Sequence, residues 1–92
     1  MATQIIHLER SELNAFCIGI PAPKLARPVV LANRGQAMAL AFDIDDGQRL
    51  MLTEQGHRCT FSSIDAIMIA LDGVENLSMD RLAVDTSAFW TN

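Results

Sequence analysis

The chain has 92 residues, 50% of them apolar, and seven Lys and Arg against eleven Asp and Glu give a formal net charge of -4. That length allows one domain and buries only about 60–65% of the surface of the unfolded chain, so a partner or a second copy is expected to cover part of the apolar remainder. Phosphate binding needs clustered cations, whereas these are scattered at Arg10, Lys24, Arg27, Arg34, Arg49, Arg58 and Arg81, which argues against nucleic acid as a direct ligand.

At the start, either Ser11 before "ELNAF" caps a short helix or "TQIIHL" is an early strand with a loop after it; the strand, over residues 3–8, is the expectation. The opening lacks the basic region and long apolar run of a signal peptide, and the apolar stretches fall short of a bilayer span. A cytoplasmic protein without a membrane segment is the expectation. Cys17 and Cys59 belong to no metal-spaced set and read as reduced, partly buried thiols acting as small apolar residues, with a disulfide between them as the alternative. Pro21, Pro23 and Pro28 each remove a backbone donor and restrain the preceding residue. Residues 1–28 are therefore expected to be an N-terminal segment with a Pro-rich linker, and residues 29–92 the domain proper.

From Pro28 onward strand-like runs alternate with turns. Asn33-Arg34-Gly35 suits a hairpin; Met38, Leu40, Phe42 and Ile44 then fall at period two against Ala39 and Ala41, the pattern of a half-buried strand. Asp45-Asp46-Gly47 is a tight-turn sequence, and Leu50 and Leu52 alternate with Arg49, Met51 and Thr53 in the next strand. Gln55-Gly56 turns again into "HRCTF". In "CTFSSIDAIMIALDGV", Ser62 is placed to cap a helix, Ile64, Ile67, Met68 and Leu71 form its apolar stripe, and Gly73 is a stop. Ala66, Ile69 and Ala70 widen that stripe, so this helix should be covered on more than one flank. "LSMDRLAVDTSAFW" reads as a final strand. The predicted class is α+β: an antiparallel meander of hairpins packed on one main helix, about 63–72, followed by a last strand.

Chemistry-bearing motifs are sparse. His7 and His57 have no nucleophile beside them in sequence and read as surface residues. Asp43, Asp45 and Asp46 begin like a calcium loop with Glu54 at the twelfth position, but Gly47 falls at the fifth instead of the sixth and "QRLML" is strand-like, so a plain turn is expected. No Gly-rich phosphate loop or nucleophile elbow is present. A non-enzymatic protein without cofactor, metal or catalytic residues is the expectation. Phe89 and Trp90 are either a lid over the sheet or an aromatic anchor for a partner. Met38, Met51, Met68 and Met79 suit core filling or an adaptable interface. Partner-binding candidates are Arg49, His57, Arg58, Phe89 and Trp90; self-association candidates are Ile69, Met68 and Met38.

Over roughly residues 45–90, the hairpin, the lead-in Arg58, Phe61, Ser63, Ile64, Asp65, the helix, Gly73, "LAVD" and Trp90 resemble small plasmid-borne accessory proteins of the partition-associated ParC type. Ile64 stands where that pattern has Leu. The resemblance implies a helper in plasmid maintenance, partition or conjugation that binds another protein, such as a partition ATPase or a DNA-binding adaptor. A small dimeric DNA-binding regulator or antitoxin is the alternative, and requires its arginines to converge across a two-fold axis.

Overall fold

The computed structural model describes residues 5–21, 25–35, 37–44 and 47–90. Within them the chain forms β1 (Ile5–Glu9), a 3-10 turn (Arg10–Glu12), α1 (Leu13–Ile18), β2 (Arg27–Leu31), β3 (Met38–Asp43), β4 (Arg49–Glu54), β5 (His57–Arg58), β6 (Thr60–Phe61), α2 (Ile64–Leu71), β7 (Ala83–Asp85) and α3 (Ser87–Trp90). The class is α+β, but the antiparallel meander is not what forms. Among the described residues the strands make one mixed sheet in the order β1-β4-β3-β2-β7, with β5 on β4 and β6 on β3. The hairpins β2–β3 and β3–β4 are antiparallel, whereas β1–β4 and β2–β7 are parallel. Alternation marks a residue run as a strand without saying which strand it joins. Parallel neighbours need a long crossover; here β1 reaches β4 past α1 and the β2–β3 hairpin, and β2 reaches β7 past α2.

The segment upstream of Pro28 is built into this sheet. Leu8, Leu13 and Cys17 belong to the core cluster, and β2 starts at Arg27 and runs through the expected boundary. Pro28 itself lies in β2, opposite Phe42. The N–H and carbonyl of Ala26 bond to Asn76 and Ser78, and by alternation Pro28 faces the same edge, where it has no proton to give. The parallel ladder breaks there and resumes at Val29–Ala83, and residues 79–82 leave the sheet in between.

β3 and β4 pair directly only from Ala41–Met51 to Asp43–Arg49. Beyond that they separate, and residues 57–61 lie between them. β5 pairs β4 at Thr53–Arg58 and Glu54–His57, while β6 pairs β3 at Met38–Phe61 and Ala39–Thr60. Buried Cys59 sits at the changeover and donates its N–H to the Leu52 carbonyl at 3.0 Å. Gln55 and Gly56 both take positive φ, 53° and 80°, as a tight hairpin with right-handed strand twist requires. At the β3–β4 turn, Asp45 and Asp46 lie outside the described residues; Gly47 has φ 90° and donates to the Ile44 carbonyl at 3.0 Å.

The two faces of the sheet are filled differently. Leu8, Val30, Leu40, Phe42, Leu50 and Leu52 form one core cluster with Leu13 and Cys17 of α1 and Ile67 and Leu71 of α2. On the opposite face, Val29, Ala39, Ala41, Met51 and Thr53 are no more than 6% exposed. β3 is thus buried on both faces and is not the half-buried strand that its alternation suggests. Arg49 and Asp85 stand on β4 and β7, three strand spacings (about 14 Å) and four residues along the strands (about 13 Å) apart on a flat sheet. Their side chains nevertheless meet at 2.7 Å. The sheet therefore curls toward this face, with Ala39 and Ala41 of β3 on the inside of the bend.

Candidate functional site

The helix α2 begins one residue later than its sequence suggests. Ser63, with extended backbone, is the N-cap, and its Oγ accepts the Ala66 N–H at 3.1 Å. At the far end Gly73 takes φ 83°, and the Val74 N–H closes on the Leu71 carbonyl at 3.2 Å. Only Ile67 and Leu71 of the helix are buried. At about 100° per residue these two face the core, and Ile69 points roughly the opposite way. Ile69 is 76% exposed; Met68, 42% exposed, lies about 100° from it round the helix, and Ile64, 41% exposed, lies about 140° from it at the helix start. The expected stripe of Ile64, Ile67, Met68 and Leu71 is therefore split: its inner half packs and its outer half faces outward. On the same wheel the Asp65 carboxylate falls between Met68 and Ile69, and Asp72 and Glu75 follow after the last turn; all three are exposed. Met38, the third self-association candidate, is half-buried against the core cluster.

The partner-binding candidates scatter over three places. Arg49 is turned onto its own chain: Nε and Nη2 donate to the two carboxylate oxygens of Asp43 at 2.7 and 3.0 Å, and Nη1 donates to Asp85 at 2.7 Å. Such a bidentate fork is the strong form of an ion pair. The bonds to Asp43 and then Asp85 hold the guanidinium pKa above its ordinary value. Asp85 also accepts the Ser87 hydroxyl and N–H; these bonds first, and Arg49 after them, hold its carboxyl well below the usual range. This clasp ties the β3–β4 hairpin to β7 and the start of α3.

His57 and Arg58 are exposed on β5. The turn before them is held by Glu9, whose carboxylate accepts from the Thr53 hydroxyl, the Gln55 N–H and the Gly56 N–H. Those bonds, Thr53 first, lower the Glu9 pKa. At the other end of the sheet Phe89 and Trp90 meet edge to face with ring centroids 4.8 Å apart. Phe89 is half-buried, and Trp90 is 69% exposed with its Nε1 donating to Thr86 at 3.2 Å. The guanidinium of Arg34 lies 4.9 Å from the Phe89 centroid and 5.8 Å from that of Trp90. Nothing in the sequence near Arg34 foretells this contact, because the β2–β3 turn and α3 are far apart in the chain.

An open cleft of about 510 Å³ separates the end of α1 from the β3–β4 hairpin and is lined by Phe16, Ile20, Pro21, Ile44 and Gln48, with Ala15 and Gly19. Among the described residues no titratable side chain lines it. Among the described residues no three His, Cys, Asp or Glu side chains converge to hold a metal. No helix there is long and apolar enough to cross a membrane. The chain matches no protein-family model, no curated protein and no solved structure.

Proposed function

We propose that this protein is a non-enzymatic, cytoplasmic accessory protein of a plasmid maintenance, partition or conjugation module, and that it works by docking another polypeptide onto the outer face of α2. One observation carries this reading: Ile69, 76% exposed, points away from the core, and exposed Met68 and Ile64 continue from it round one side of α2. An isolated apolar side chain on a surface needs no explanation, but three exposed along one side of a short helix leave water in contact with area that association would remove. The other partner-binding candidates support the reading less. Arg49 is occupied by the clasp, and His57 and Arg58 lie on a different element.

The test uses the native host. The tagged protein and its Ile69→Asp variant are expressed at natural level, and co-purifying proteins are compared quantitatively. The expected result is one or a few proteins of the same gene cassette with the wild type and their loss with the variant, whose circular dichroism is unchanged. In parallel, gel shifts with cassette and random DNA at low salt are expected to be blank. A partner set that survives Ile69→Asp, or a salt-sensitive DNA shift, overturns the reading, and the DNA shift favours the regulator alternative.

A further inference from the structure

The chemistry around Ile69 specifies the occupant more closely than "a polypeptide"; this inference rests on the docking role just proposed. Between Arg58 and Arg81 the chain carries no Lys or Arg, while Asp65, Asp72, Glu75 and Asp80 all fall in that span and are exposed. The guanidinium of Arg10 is held on the segment that leads into α2, 5.6 Å over the Phe61 ring with Nη1 3.7 Å from the Cys59 sulfur. The charges that α2 and the turn after it contribute are therefore all negative, and the Asp65 carboxylate falls on the exposed side of the helix, between Met68 and Ile69. Any occupant that covers Ile69 and Met68 also takes water from Asp65. A buried carboxylate without a counter-charge is strongly unfavourable.

A second copy of this face across a two-fold axis supplies only further carboxylates, since an isologous contact sets like against like. We propose that the outer face of α2 receives an amphipathic helix with an apolar stripe flanked by Lys or Arg, one cation of which pairs with Asp65. The apolar stripe covers Ile64, Met68 and Ile69, and the remaining cations meet Asp72 and Glu75. This is helix-in-groove recognition reduced to its simplest form, one helix laid along another, with the charges setting which partners are accepted.

The test is a fluorescence-anisotropy titration of the full chain with two labelled model helices of about 18 residues, five turns. The peptides share one Leu stripe and differ only in carrying Lys or Glu at the flanking positions. The Lys peptide is expected to bind about tenfold more tightly than its Glu twin at low salt, with the margin shrinking as salt rises. Asp65→Lys is expected to reverse the preference, and Ile69→Ser to weaken both peptides. Since both positions are exposed, neither variant should change the fold. Equal binding of the two peptides, abolished by Ile69→Ser, overturns the charge rule and leaves the docking face standing. No binding of either peptide overturns both. Sedimentation velocity covers the remaining occupant: a dimer that dissolves in Ile69→Ser assigns the face to a second copy and overturns the proposal.

Discussion

The two faces of the central sheet are about equally dry, yet they exclude water by different means. On one face large side chains do it: Phe42, Leu40, Leu52 and Val30 pack with Ile67 and Leu71 of α2 and Leu13 and Cys17 of α1. On the other face the side chains that β3 contributes are small, Ala39 and Ala41, beside Val29, Met51 and Thr53, and among the described residues no helix of the core cluster lies on it. There the backbone bends inward, and Arg49 holds the bend with Asp43 and Asp85. A sheet can be buried by what is placed against it or by its own curvature, and the second route demands alanine where the first demands phenylalanine.

That contrast can be broken at graded cost. The largest effect is expected from Phe42→Ala, which leaves a cavity among the helices and should lower unfolding free energy by about 3–5 kcal/mol, read from the urea midpoint. Ala41→Leu comes next. A truly curled face has no room for the added atoms, so a loss of about 1–3 kcal/mol is expected; a neutral outcome means that this face is open. Arg49→Met strips two carboxylates of their partner and should cost about 1–3 kcal/mol, the usual range for hydrogen bonds to charged groups. High salt should shrink that difference only slightly, because the pair is partly buried.

The same clasp predicts a pH signature. The folded-state pKa of Asp85 lies below its ordinary value, chiefly because of Ser87 and then Arg49. Its contribution is therefore complete above the unfolded value of about 3.9 and disappears as pH falls through that value toward the folded one. Wild-type protein should lose more stability than Arg49→Met on going from about pH 6 to about pH 3 in thermal melts, and Ser87→Ala should behave like Arg49→Met. The smallest effect is expected outside both faces. Ile69→Ser should change unfolding free energy by no more than about 0.5 kcal/mol, since a side chain 76% exposed contributes little to the monomer. A large loss there means that the side chain is covered within the chain.

Much of this was legible from residue spacing. The alternation from Met38 to Ile44 and from Arg49 to Thr53 locates β3 and β4, and the run from Ser63 to Gly73 locates α2, because local patterns encode local backbone geometry. Pairing was not legible. Nothing in "IIHLE" tells that it lies parallel to "RLMLT", or that "AVD" joins "VVL", because partner choice is decided by tertiary closure. The final strand was overextended for a related reason: Asp85 caps Ser87 through its side chain and starts α3, an event that periodicity does not register. At the candidate site, spacing marked Ile64, Met68 and Ile69 as apolar, but a stripe that wide does not say which side faces inward. Arg49 looked available for a partner because Asp43 and Asp85 approach it only after the sheet bends.

The borders of the sheet have a consequence of their own. Both outermost strands, β1 and β7, are held by parallel ladders to residues far away in the chain, while the interior is stitched by two local hairpins. Loop closure delays such distant contacts, so the hairpins should form early and the margins should zip up late and open first. Amide exchange should then be slowest at Leu40–Phe42 and fastest at Ala83–Asp85, which makes the rim, with the clasp residue Asp85 on it, the point from which the curved sheet unrolls.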